Sequence, residues 1–248
     1  MLKIKDTLLL QIILITLAIS PAIVLGEGDK NFLLIVVMSF SPIIILYYSK
    51  FYRSDILLVL FMFTIILFPL IFHSEAIRWS TVIYSLMFCS MFISYNVLLR
   101  ASHFTLRNYR KILKYLIYAY ALILIIQQFC VLTGLPIFNV NNYDASNIWK
   151  LNSLSAEPSH TARIISLLMY SYIITTEILY KSKYILNIYF IKDIRIWLSF
   201  LWVMITTGSS TALIFLAIIL LKTIYLKSAK SFFLIGITII TVSFFQLK

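Results

Sequence analysis

Long apolar runs separated by short polar connections dominate the chain. They fall at roughly 7–25, 31–48, 56–72, 81–99, 115–134 and 162–180, followed by a tighter pair at 196–206 and 211–221 and a last run at 231–245. A helix needs about 20 consecutive apolar residues to cross the hydrocarbon layer of a bilayer. Shorter runs still span with flanking snorkelling side chains or local thinning. Pro21, Pro42 and Pro69 lie inside runs, where packed membrane helices accommodate a kink. The pattern predicts an all-α polytopic membrane helix bundle of about nine membrane segments. It predicts one membrane domain over residues 1–248.

The polar connections carry the orientation. Lys3 and Lys5 precede the first run, Lys50 and Arg53 follow the second, Arg100 to Lys114 separate the fourth from the fifth, and Lys181, Lys183, Lys192 and Arg195 follow the sixth. The intervening loops carry few bases or are acidic, including 135–161, which leads into the 162–180 helix. Lys and Arg concentrate in short cytoplasmic loops, so the expected N-terminus is cytoplasmic and the 135–161 loop external. Arg195 and the trio Lys222, Lys227 and Lys230 then share the cytoplasmic side, and 196–221 must enter and return. Each arm has about eleven residues, roughly 16 Å of helix. The expectation is a helical hairpin whose polar tip, Thr206 to Thr211, sits deep in the protein and opens outward; one long tilted helix is the competing reading. The basic and apolar mixture at 101–114, His103 included, suits a cytoplasmic interfacial helix on anionic lipid.

Composition narrows the class. The chain is 62% hydrophobic and 12% charged, with a mean hydropathy of +0.98. Soluble domains carry about 25% charged and about 45–50% apolar residues, and a compact soluble body of this size could not hide so many Ile, Leu and Phe side chains. The net charge of +12 is spread between apolar runs rather than gathered in one patch, which argues against a nucleic-acid partner. Cys89 and Cys130 lie inside apolar runs and read as small hydrophobes. The first run lacks a clean small-residue cleavage site and reads as a retained anchor. No nucleotide-binding loop, HExxH or Asp-x-Asp occurs, so neither a cofactor nor a metal is expected.

Candidate chemistry gathers at the end of the long polar loop, in Ser153-Leu154-Ser155-Ala156-Glu157-Pro158-Ser159-His160-Thr161-Ala162-Arg163. Ser155 suits an N-cap and Pro158 a first helical turn. Glu157, His160 and Thr161 would then share one face by i, i+3 and i+4 spacing, with Arg163 a turn further in. Capping and interfacial anchoring account for the same residues without any function. An Arg and a Glu at the mouth of a bundle nonetheless merit a functional reading, because ionisable groups there are costly and usually paired.

The Ser153…Glu157-Pro158-Ser159-His160 stretch opens a mid-chain helix. About 45 residues on, Thr206, Thr207, Ser209 and Ser210 form a tip between two short apolar runs. In this combination the chain resembles the O-antigen and capsular polysaccharide polymerases of the Wzy type. The resemblance covers the N-terminal and central part of such proteins, which carry further helices and a second large external loop, so it implies a C-terminally shortened or minimal relative. It implies polymerisation of undecaprenyl-diphosphate-linked repeat units on the outer face of the bacterial inner membrane, with that lipid-linked glycan, membrane lipid and a chain-length regulator protein as partners. Such a transfer needs a base for the acceptor hydroxyl and cations or helix amides for the diphosphate. Glu157 or His160 would be the base, Arg163 the diphosphate ligand, and Ser159, Ser209 and Ser210 hydrogen-bond donors. The open alternatives are a transporter or flippase of lipid-linked sugar, a non-catalytic membrane protein, and a ligase within the enzyme class.

Overall fold

The structure, a computed structural model, describes residues 2–19, 32–48, 52–53, 55–72, 75, 79–102, 104–139, 150–184 and 191–223. Regular structure among these residues is entirely helical: α1 (Leu2–Ala18), α2 (Phe32–Tyr48), α3 (Asp55–Phe72), α4 (Trp79–Ala101), α5 (Leu106–Thr133), α6 (Pro158–Tyr180), α7 (Ile194–Thr206) and α8 (Ser210–Thr223). Four stretches, Asp55–Phe72, Val82–Ala101, Leu106–Thr133 and Pro158–Tyr180, are long and apolar enough to cross a membrane; α1, α2, α7 and α8 give shorter apolar helices. Against the expectation of about nine membrane segments, the described residues hold eight helices, four of them of spanning length. The run 231–245, Pro21, His103 and loop residues 140–149 lie outside the described residues.

The chain forms two compact units. One comprises Met1–Leu17 with Asn31–Phe104, the other Ala18–Lys30 with Thr105–Lys248. In the first unit α4 packs against both α2 and α3. Ser94 Oγ lies 2.8 Å from the Ser41 carbonyl oxygen, as a donor to it, at the α2–α4 crossing. Leu10, Ile13 and Leu98 form a small core there, edged by Val37, Ile44 and Tyr95. Pro42 and Pro69 sit within α2 and α3, as expected. The only buried residue of α3 is Asp55, whose carboxylate accepts from the Tyr52 amide at 2.9 Å and the Asn96 side chain at 3.2 Å. The rest of that helix turns Leu57, Phe63, Phe68 and Ile71 outward. Apolar surface this continuous suits lipid, because soluble monomers rarely expose apolar patches larger than a few hundred Å².

The second unit holds the larger core. In α5 the buried positions Leu113, Leu116, Ile117, Tyr120, Ala121, Leu124, Gln127 and Gln128 recur at spacings of three and four, one helical stripe. Its other face shows Leu122, Ile125, Phe129 and Leu132. Beyond its basic first turns, a helix apolar on its exposed face as well as its packed one suits lipid. α6 is the hub, packed against α5, α7 and α8, with Ile165, Met169, Tyr172 and Ile173 buried beside Trp197, Phe200 and Val203.

The segment 101–114 is not the separate interfacial helix its composition suggests. α4 ends at Ala101, Thr105 caps the next helix by accepting the Asn108 amide, and α5 then runs unbroken to Thr133. Nothing between Arg107 and Thr133 breaks a helix. The 28 residues of α5 reach about 42 Å, which is about 12 Å more than the hydrocarbon layer. The basic turns are that surplus.

Candidate functional site

The loop before α6 is held by side-chain amides standing in for secondary structure. Gln127 on α5 accepts the Ser153 amide at 2.8 Å and donates to the Phe138 carbonyl at 3.0 Å. Asn152 donates to the carbonyls of Asn139 and Ser155, both at 2.7 Å. Ser153 adopts a left-handed φ of 50° and donates its hydroxyl to the Tyr120 carbonyl at 2.6 Å. Leu151, Asn152, Ser153 and Ser155 are buried. A buried amide without a partner costs about 1–3 kcal/mol, so this mesh fixes where α6 begins.

Ser155 is not the N-cap. Glu157 occupies that position with extended backbone (φ −141°, ψ 153°), and Pro158 follows inside the first turn. Proline fixes the helical φ and lacks the amide that a cap would need to satisfy. The Ser155 hydroxyl lies against the Asn152 carbonyl at 3.0 Å and the buried Thr161 hydroxyl instead. The expected shared face therefore divides. Thr161 points into the core, Glu157 is exposed, and His160 is half-buried. Glu157 makes no side-chain capping bond, and the Ser159 hydroxyl donates to its carboxylate at 3.2 Å. Arg163 is exposed on the next turn. A carboxylate, an imidazole, a hydroxyl and a guanidinium thus sit at one helix N-terminus, where first-turn amides lack intrahelical acceptors. No group of three or more His, Cys, Asp or Glu suited to a metal occurs among the described residues.

The expected hairpin arms appear as α7 and α8, separated at Thr207-Gly208-Ser209 with Gly208 at a left-handed φ of 61°. Both outer ends of this pair lie beside the C-terminal half of α6. Asp193, just before α7, accepts from the Tyr172 hydroxyl at 3.0 Å, and Lys222, near the end of α8, pairs with Glu177 at 3.2 Å. Met204 at the inner end of α7 lies 3.7 Å from the Ser166 hydroxyl, near the start of α6. The chain therefore goes up α6 and returns. At the turn Ser209 is buried and shares a hydrogen bond with the Thr211 hydroxyl at 2.7 Å, while Ser210 is exposed. The Thr207 hydroxyl is buried without a hydrogen-bond partner among the described residues. No hydrogen bond or ion pair among those residues joins Ser209 or Ser210 to Glu157, His160 or Arg163.

Known protein families, curated proteins and solved structures give no match to this chain.

The opposite end of α6 carries a polar network that the sequence does not announce. Arg110 on α5 donates to the Tyr172 hydroxyl at 2.6 Å and the Tyr180 hydroxyl at 3.3 Å, and lies 3.6 Å from the Asp193 carboxylate. Asp193 also accepts from Tyr184 at 3.1 Å, and Trp197 donates its ring N–H to that tyrosine at 3.0 Å. Burial pushes the Tyr184 phenol above its usual range, so it stays a donor to the carboxylate. The one available signal is the spacing of Arg107, Arg110, Lys111 and Lys114, which places four bases on one side of a helix.

Proposed function

We propose that this chain belongs to the machinery that transfers glycans from polyprenyl-diphosphate carriers, acting as a polysaccharide polymerase on the outer side of the inner membrane. The observation that supports this reading is the start of α6, where Glu157 stays exposed and uncommitted to capping beside Ser159, His160 and Arg163. Glu157 or His160 would take the proton of the acceptor hydroxyl as the new glycosidic bond forms. Arg163 and the free first-turn amides would receive the diphosphate, a leaving group that needs no proton. Ser159 would orient Glu157. Ser210 is the exposed hydroxyl at the α7–α8 turn and the better placed of the two turn serines to meet a substrate.

The test is polysaccharide laddering in a polymerase-deficient host. The unmodified chain restores the ladder, and Glu157→Gln erases it at matched membrane accumulation, since a general base contributes about 10²–10⁴-fold. Arg163→Lys recovers only part of the activity lost in Arg163→Ala, because a point charge replaces a planar fork of donors. Full ladders from both Glu157→Gln and Arg163→Ala would remove the site assignment. Failure of the unmodified chain to restore any ladder would remove the enzyme reading.

A further inference from the structure

A cavity of about 460 Å³ opens at the base-rich end of the second unit, lined by Arg107, Arg110, Lys111 and Lys114 of α5, by Tyr172 and Tyr180 of α6, and by Lys192 and Asp193 before α7. Five cations face one carboxylate there, an excess of four positive charges. That carboxylate is already spoken for by Arg110, Tyr172 and Tyr184. Arg107, Lys111, Lys114 and Lys192 form an exposed rim, and among the described residues none of them has a carboxylate partner. Lys192 leans over the Tyr180 ring at 5.1 Å.

Helix electrostatics sharpen the point. The N-terminal end of a helix is its positive end, and acidic side chains stabilise it whereas bases do not. α5 has no acid in its first turn and places Arg107, Arg110 and Lys111 within its first two turns. Repulsion among these bases and with the dipole is relieved by an anion held between them. The Nε of Arg110 is buried with no hydrogen-bond partner among the described residues, a donor left over at the floor.

We infer that this cavity binds a phosphate group, borne either by an anionic phospholipid headgroup at the membrane boundary or by a soluble phosphate. Planar guanidinium donors and flexible ammonium groups from α5 and from Lys192 before α7 match a tetrahedral anion, and basic pockets between helix ends are suited to phospholipid headgroups. This site is separate from the start of α6, and the inference does not depend on the glycosyl-transfer reading.

The experiment uses the full chain in nanodiscs. Two double variants are compared: Arg107→Gln with Lys111→Gln, which strips the cavity rim, and Lys181→Gln with Lys183→Gln, which removes equal charge from exposed positions outside the lining. Native mass spectrometry counts phosphatidylglycerol molecules retained after release from mixed phosphatidylglycerol–phosphatidylcholine discs. Thermal shift in pure phosphatidylcholine discs reads binding of inorganic phosphate and pyrophosphate. Each base removed from a phosphate contact should weaken binding roughly fivefold, so the rim variant should lose more than about tenfold and the control variant little. Phosphatidylglycerol retention with that pattern identifies a lipid headgroup, and a phosphate-induced shift with that pattern identifies a soluble ligand. Equal losses in the two variants would mean diffuse attraction of anions to a basic surface and would overturn the pocket. So would the absence of binding by either probe.

Discussion

The starts of α5 and α6 solve the same physical problem in opposite ways. Each is the positive end of a long apolar helix with unfilled amides. α6 meets that end with the carboxylate of Glu157 and a proline that has no amide to satisfy. α5 caps one amide with the Thr105 hydroxyl and then crowds the end with Arg107, Arg110 and Lys111. The first end carries an acid of its own at the cap position, whereas the first turn of the second carries none. Of these three bases, Arg110 alone has a carboxylate partner among the described residues, and Tyr172, Tyr180 and Tyr184 gather around the pair. A helix terminus whose charge is wrong for its own dipole is thus a better pointer to an external anion than a count of bases.

Substitutions at the two ends should rank accordingly. Asp193→Asn leaves the half-buried Arg110 uncompensated and should lower the stability of the detergent-solubilised chain by about 3 kcal/mol. Adding Arg110→Met should recover a large part of that loss in a double-mutant cycle followed by thermal unfolding. Purely additive losses would mean that the pair does not organise the α5 start. At the other end, Asn152→Ala strands the Asn139 and Ser155 carbonyls and should cost about 1–3 kcal/mol. Faster amide exchange at Ser153 to Ser159, with the α5 start unchanged, is the corresponding readout. Arg107→Glu restores the favourable sign at the α5 terminus and should stabilise the chain by about 1 kcal/mol in neutral detergent. That gain should shrink or reverse with phosphatidylglycerol present, and a gain independent of lipid would separate the terminus from anion binding. Smallest of all, Glu157→Gln should lower stability by about 0.5 kcal/mol, so a loss of polymer far beyond that would be chemical rather than structural.

Sequence patterning goes far for the helices and less far for their joints. The apolar runs anticipate the helices, and Thr207-Gly208-Ser209 marks the break between α7 and α8, because a polar stretch with a glycine cannot continue an apolar helix cheaply. Two boundaries are displaced for local reasons. Pro158 draws the start of α6 past Ser155, and the uninterrupted helix formers after Thr105 join the basic turns to α5. Gln127, Asn152 and Asn139 look like ordinary loop or interfacial residues, yet their partners lie many residues away, so the mesh exists only once α5 and α6 pack. Asp193 is a lone acid between Lys192 and Arg195, and nothing in that spacing points to Arg110. The candidate residues at the α6 start were legible as types, whereas their division between core and surface required the fold.

The shortness of α7 and α8 has a consequence for biogenesis. Arms of 13 and 14 residues measure about 20 Å each, about 10 Å short of the hydrocarbon layer, so either alone would cross only with thinning or snorkelling. The pair crosses more readily as a unit, and its outer ends dock on Tyr172 and Glu177 of α6, a helix synthesised earlier. α6 thus offers the pair a docking partner that is already made when α7 and α8 emerge. A destabilised α6 would strand the hairpin at the membrane surface, exposed to proteases, even though every residue of the hairpin itself were intact.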